Sequence, residues 1–442
     1  MIAAKDKNII RELAKRVAEL AALPVNRERE QRIRANNSLK PGRPIVWIDE
    51  IPWHEMDIDN ELVLQCLSPE AQAMEAYLRQ VLYRWNHIQA DMVVEDVFYV
   101  GKAYDTTLDS SNPYSASAAR PEESLWLRRW AAYGTLFGIS GVQVKEETLS
   151  TNRDNHIVSH HYEDQLDTED KLEKLKIPTI TARPDIDERN LALANDVFDG
   201  IMPVKLRGHQ IYYAPWDEIA MLRGVTNCYM DMACRPEFTH SIISRFTGIY
   251  VSTYEQMEAQ GLLDFNLPNL HSTPSYTAEL PAKDFDGKIR FKDIWFRGMA
   301  QLFASTSPEM QDEFDLQYMR KLMERCGLAY YGCCEPLDKF IPCLKKIPNM
   351  RKIGVSPWAD VRSSAEQIGG NYIVARKPNP ANVGRNFDRE TVEKETAETI
   401  EACRENQCPY EFVLKDISTV NNNPENLIEW TKTVMGVIDR YY

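Results

Sequence analysis

The strongest constraint on the fold of this chain lies in its C-terminal third, where short apolar runs alternate with helical periodicity four times in succession. LAYYGCC (328–334) reads as a buried strand, and LDKFIPCLKKI (337–347) places apolar residues at helical spacing. RKIGVSP (351–357) is the next strand, followed by a helix over WADVRSSAEQIG (358–369) that Gly369-Gly370 closes. NYIVAR (371–376) is a third strand, and after a Pro/Asn loop a long polar helix spans 389–406. PYEFVLKDI (409–417) supplies the fourth strand and PENLIEWTKTVMGVIDRYY (424–442) the last helix, with Pro424 suited to its first turn. Strands that are apolar throughout, each followed by a helix, belong to a parallel sheet covered by helices. Open doubly wound sheets and closed barrels both satisfy that pattern. No GxGxxG and no Walker sequence follows these strands, and their spacing leaves no room for large insertions, which favours the barrel. The predicted fold class is therefore α/β, a (β/α)8 TIM-type barrel.

The N-terminal half is less regular. A helix over 5–22 leads into a charged segment, 26–44, ending in turn residues, and 70–90 forms an amphipathic helix. ADMVVEDVFYV (90–100) reads as the first barrel strand, and the polar, Pro- and Asp-rich stretch 101–215 as insertions over one barrel mouth. The expected division is an N-terminal helical extension, 1–89, packed on a barrel of 90–442. A net charge of −14 excludes the basic face that a nucleic-acid binder needs. No run of about 18 apolar residues exists to span a membrane, and the charged N-terminus lacks the apolar core of a signal peptide. Nine cysteines, an odd number in a long chain, read as reduced thiols in a cytoplasmic protein.

In a (β/α) barrel the reactive groups project from the C-terminal ends of the strands. Glu95 and Asp96 follow an apolar run and are the catalytic candidates, since burial raises a carboxyl pKa towards neutrality. By alternation only one of the two can face the mouth. The bland alternative is a carboxylate that caps a helix or pairs with an arginine. Cys333 and Cys334 offer thiolates for zinc, although adjacent residues seldom both reach one ion. His271 sits among Ser272, Thr273, Ser275 and Tyr276, in a loop able to hydrogen-bond a ligand or merely to satisfy its own backbone. Tyr331, Trp295, Arg297 and Tyr276 are candidate substrate-binding residues, with an ordinary core role as the alternative for the aromatics.

Three segments resemble the uroporphyrinogen decarboxylase superfamily. RPIVWIDEIPW (43–53) is similar to its R-P-P-V-W segment, and ADMVVEDVFYV to its first strand, which places the family aspartate at Asp96. GGNYIVARKPNPANV (369–383) with VLKDISTVNNNPENLIEW (413–430) resembles the closing pair of units. The decarboxylases carry substrate-binding arginines after V-W, whereas this chain has Ile48, Asp49, Glu50 and Ile51. Acids there repel a polyanionic porphyrinogen, so uroporphyrinogen is not the expected substrate. The other branch of the superfamily comprises zinc methyltransferases with H-x-C at the end of a late strand. Tyr331-Gly332-Cys333 stands in that place, and Asp416 stands where a second Cys is found. The resemblance implies zinc held by Cys333 and Asp416, with Glu335 or His271 completing the shell. It implies a demethylase-type methyltransferase moving a methyl group from a small O- or N-methyl compound, aromatic in view of the many rings near the mouth, to cobalt. No D-x-H-x-x-G segment occurs, so the cobalamin or other corrinoid arrives on a separate corrinoid protein. The expected partners are that protein, the small-molecule methyl donor and a second copy of the chain in a homodimer. The alternatives are a decarboxylase-like enzyme on a non-porphyrin acid, using Asp96, or a non-catalytic barrel that binds a tetrapyrrole or a partner.

Overall fold

The structure, a computed structural model, describes residues 2–107, 142, 144–148, 160–384 and 387–442. Its organising element is a parallel sheet of seven strands. These are β1 Ile45–Ile48, β2 Ile211–Tyr213, β3 Trp295–Gly298, β4 Leu328–Tyr331, β5 Met350–Val355, β6 Ile373–Arg376 and β7 Tyr410–Leu414. They lie in the order β1-β7-β6-β5-β4-β3-β2, and every paired edge is parallel. A doubly wound sheet reverses direction at a switch point. This one steps by a single strand at each crossover and sets its first strand beside its last, an order consistent with a TIM-type barrel.

Parity along the strands decides which side chains reach the site. Val46, Tyr213, Phe296, Tyr331, Ile353 and Phe412 share one large apolar cluster with the flanking helices. The alternate residues carry the polar groups. The Arg297 guanidinium lies 4.8 Å from the Tyr212 ring and 5.4 Å from that of Tyr330, and Lys352 Nζ is 2.9 Å from Glu411 Oε2. That ion pair is fully buried and endures because Pro274 O also accepts from Lys352 Nζ at 2.6 Å. The same bond anchors an antiparallel hairpin, Asn269–Leu270 with Thr273–Pro274, on the polar face of the sheet. Trp295 Nε1 donates to Ser275 O at 3.0 Å, so the hairpin's stem sits at the strand beginnings.

The helices Val361–Ile368, Arg389–Glu405 and Glu425–Asp439 follow β5, β6 and β7 as the periodicity predicts. Asp360 and Asp388 cap the first two by accepting backbone N–H bonds in the first turn. The helix expected over 337–347 shrinks to the single turn Ile341–Leu344. Pro342 has no N–H to give Asp338 O, which accepts from Gln367 Nε2 instead.

The expected first strand, 90–100, is corrected: the sheet's first strand is Ile45–Ile48. Residues 91–94 spend their backbone groups elsewhere. Asp91 N donates to Val46 O and Asp91 Oδ2 accepts from Val46 N, while Val94 N reaches Asn26 Oδ1. Pairing begins only at Phe98–Gly101, parallel with Val204–Arg207. The segment read as merely charged, 26–44, contains the helix Pro24–Asn37. A second apolar cluster joins Leu13, Leu78, Phe98 and Phe198 across residue 90. The insertion expected over 101–215 lies partly outside the described residues, and helix Pro184–Phe198 belongs to its described part. Among the described residues no helix is long and apolar enough to cross a membrane.

Candidate metal centre and active site

Four chain segments meet at the C-terminal ends of the strands. After β4 the chain turns at Gly332 (φ 118°), where a Cβ would lie 2.6 Å from Leu337 Cδ1, and this turn presents Cys333 and Cys334. After β7 come Lys415 and Asp416, and after β1 come Asp49 and Glu50. The hairpin tip brings His271 and Ser272. Glu50, His271, Ser272 and Asp416 all hold left-handed backbone, with φ of 51°, 36°, 76° and 56°. Such residues cost about 1–3 kcal/mol each and persist only where their surroundings hold them. Here Glu50 ties the segments together: its Oε2 accepts from Asp416 N at 2.8 Å and its Oε1 from Ser272 Oγ at 3.0 Å.

The thiols lie at the centre of this convergence. Cys333 Sγ is 3.7 Å from Cys334 Sγ, 3.9 Å from His271 Nε2 and 3.2 Å from Lys415 Nζ. Cys334 Sγ donates to Asp416 Oδ2 at 2.9 Å, and Lys415 Nζ lies 2.7 Å from the same oxygen. Contact with Cys334 and the Lys415 charge hold the Cys333 thiol well below the usual thiol range, while the same contact raises Cys334. The two sulfurs titrate as a pair, and the nearby Lys415 ammonium favours the thiolate of Cys333. Burial, then the nearby Arg297 charge, lowers the pKa of His271, which leaves a neutral imidazole. Desolvation opposes the Asp416 carboxylate, but Lys415 outweighs it and the group stays ionised. Burial raises the pKa values of Asp49 and Glu50.

A thiolate, a second thiol, a carboxylate and a neutral imidazole are donors that zinc accepts. Cys333, Cys334 and Asp416 offer ligand atoms that all lie within 4.8 Å of one another. Two thiolates bound tetrahedrally at Zn–S distances of about 2.3 Å stand about 3.8 Å apart, and the observed Sγ–Sγ separation is 3.7 Å. His271 Nδ1 lies 3.9 Å from Glu50 Oε1, on the side away from Cys333, an arrangement that turns Nε2 towards the thiols. The donor set fits zinc.

Of the ligands expected from sequence, Cys333, Asp416 and His271 come together, and Cys334 joins them. Glu335 does not: its carboxylate accepts the Cys333 N–H at 2.8 Å and so shapes the loop. Tyr331 falls on the helix side of β4 by parity, where its hydroxyl donates to Asp315 Oδ2 at 2.8 Å. Trp295 opens β3 and so lies at the far end of the strand from the thiols, and Tyr276 packs on Ile33, Ile45 and Trp47. Arg297 does reach the site from below: it and Lys377 both donate to Gly332 O, at 3.4 and 3.0 Å. Glu95 is held by Arg207 at 2.7 Å, the bland alternative for that residue. Asp96 is exposed and precedes the strand Phe98–Gly101 instead of ending one. Sequence reasoning weighed Cys334 and discounted it, and it passed over Glu50 and Lys415 as site residues. The available signal for Glu50 and Lys415 was a charged residue one or two places beyond a buried strand end.

Beside the thiols opens a cavity of about 560 Å³, lined among others by Cys334, Lys377, Lys415, Asp416 and Trp358. No family model and no curated protein matches this chain. One solved structure similar to it is a methyltransferase from Methanosarcina mazei. It is 12% identical, with a TM-score of 0.45, over 94% of this chain and 99% of that one.

Proposed function

We propose that the chain is a (β/α)8-barrel methyltransferase of the demethylase type, which moves a methyl group from a small O- or N-methyl compound to the cobalt of a separate corrinoid protein. The observation that carries this reading is the convergence of Cys333, Cys334, Asp416 and His271 at the strand ends beside an open cavity. Cys333 stands where the zinc-methyltransferase H-x-C pattern has its cysteine, which supports it, with Tyr331 and Asp416 in place of the pattern's His and second Cys. Zinc bound by these four residues would act as a Lewis acid on the heteroatom that carries the methyl group. The corrinoid would come with its partner.

The chain's own groups do the rest. Lys415 keeps Cys333 deprotonated and sets a positive charge at the cavity's inner end, where negative charge grows on a departing oxygen. Glu50 accepts from Ser272 Oγ and from the Asp416 N–H, which ties the hairpin tip that carries His271 to the β7 end. Arg297 and Lys377 hold the Gly332 carbonyl, so the thiols are aimed before substrate arrives. Asp96, which a decarboxylase-like reading needs in the pocket, is exposed.

The test is incubation of the zinc-loaded protein with a reduced corrinoid protein and a panel of aryl methyl ethers, methanol and methylamines. Methyl–cobalt formation, followed by its visible spectrum, is expected with wild type and lost in Cys333→Ala. No transfer from any donor overturns the reading.

A further inference from the structure

A second pair of thiols lies at the opposite end of the sheet from the metal centre. Cys403 stands in the last turn of the helix Arg389–Glu405, and Cys408 shortly precedes β7. Gln407, just past the helix end, holds left-handed backbone with φ 54°. The Cys408 N–H donates to Cys403 O at 2.8 Å and the Gln407 N–H to Arg404 O at 3.2 Å, the paired bonds of a Schellman motif. In that motif the residues joined by the longer-range bond bring their side chains together, a place commonly filled by an apolar contact. Here two thiols fill it, and they touch. Both residues are buried, yet both line a cavity of about 590 Å³ with Pro41, Gly370, Gln407 and Tyr442. The two sulfurs titrate as a pair, and the Gly369 N–H, which donates to the Cys408 sulfur, favours the thiolate there. By contrast, burial pushes the thiols of Cys66 and Cys228 up to about 12, the state of an inert core cysteine.

We propose that Cys403 and Cys408 are a modification site, closing into a reversible disulfide when the protein meets hydrogen peroxide. The Cys408 thiolate attacks one peroxide oxygen. An S–O bond forms, the O–O bond breaks, and the hydroxide that leaves takes up the proton Cys408 gave, as water. The Cys403 sulfur then attacks that of Cys408: an S–S bond forms, the S–O bond breaks, and the departing hydroxide takes the Cys403 proton. Two thiols are oxidised and one peroxide is reduced to two waters. The backbone bonds of the motif keep the two residues side by side before and after closure. A disulfide across so short a loop gains little from the entropy of the unfolded chain, so a dithiol reductant opens it again. Neither the zinc nor a methyl group takes part, and the site stands whether or not the chain is a methyltransferase.

Trypsin cuts after Lys394, Arg404 and Lys415, so the two cysteines fall in separate peptides, 395–404 and 405–415, which a disulfide joins into one. The full-length protein is exposed to a series of hydrogen peroxide concentrations, its remaining thiols are alkylated, and the digest is read by mass spectrometry. The linked peptide is expected, with loss of both separate peptides, at an exposure that leaves Cys66 and Cys228 free to be alkylated. Dithiothreitol should reverse it. In Cys403→Ser the linked peptide is absent and Cys408 stops at a sulfenic acid that dimedone traps, a product that a merely buried thiol does not give. Should that variant fail to fold, the wild-type digest decides alone. Separate 395–404 and 405–415 throughout the peroxide series overturn the proposal. So does either cysteine joined to a different one, or no dimedone adduct in a Cys403→Ser protein that melts like wild type.

Discussion

Asp315 offers a quantitative test of how the β4 strand is oriented. It lies in a π-helical turn, Asp312–Leu316, fully buried, and its Oδ2 accepts the Tyr331 hydroxyl at 2.8 Å. Burial, opposed by that hydrogen bond, pushes its carboxyl up to about 8 from an ordinary 3.8. The folded protein therefore keeps a proton that the unfolded chain loses. Stability from this group is fully present below pH 3.8, declines as the pH rises, and is gone above about 8. Asp315→Asn keeps the shape and an acceptor for Tyr331 but cannot ionise. Between pH 6 and 8 the unfolded carboxyl is ionised and the folded one is not, a slope of about 1.4 kcal/mol per pH unit that flattens as the folded pKa is reached. Wild type should therefore lose about 2 kcal/mol relative to Asp315→Asn across that interval. Urea unfolding of both proteins at pH 6, 7 and 8 gives the difference directly, and all other titrations cancel. Curves that stay parallel would refute a buried, protonated Asp315, and with it the placement of Tyr331 on the helix side of the sheet.

Lys352→Met should destabilise by about 3–5 kcal/mol because Glu411 is left buried without a partner, while pairing it with Glu411→Leu should recover most of the loss, read by chemical denaturation. Gly332→Ala should cost more than about 2 kcal/mol, since the new Cβ meets Leu337 Cδ1 at 2.6 Å on left-handed backbone, and should also lower bound zinc by displacing Cys333. Glu50→Gln should weaken zinc binding about 10- to 100-fold in competition with a chromophoric chelator, because the carboxylate beside His271 Nδ1 loses its charge.

The sheet's last four strands were legible because each is a continuous apolar run bounded by turn residues, and their register needs no information from elsewhere. The first strand was not. Val93, Val94 and Val97 make 90–100 look like a strand, but the Asp91 N–H goes to Val46 O, Met92 O accepts from Arg29 and the Val94 N–H goes to Asn26 Oδ1, all distant in sequence. Ile45–Ile48 is no shorter than β4 and β6, but it stands outside the run of successive strand–helix units that made those strands legible. The same slip misplaced Asp96. Cys333, Asp416 and His271 could be nominated from strand-end position and residue chemistry. Cys334 was discounted because adjacent residues usually point apart. It reaches the cluster because Gly332 holds φ 118° and the loop after it no longer alternates. Glu50 became visible only with the fold, since its neighbours Asp416 and Ser272 are 366 and 222 positions away.

The most direct measurement is the metal content of the full-length protein purified without chelators, beside Cys333→Ala and Cys334→Ala. One zinc per wild-type chain is predicted, with none retained by Cys333→Ala and a weakened site in Cys334→Ala, because each lost thiolate opens the tetrahedral shell. A wild-type protein that carries no transition metal, or a Cys333→Ala protein that keeps its zinc, would contradict the assignment of these strand ends as a metal centre.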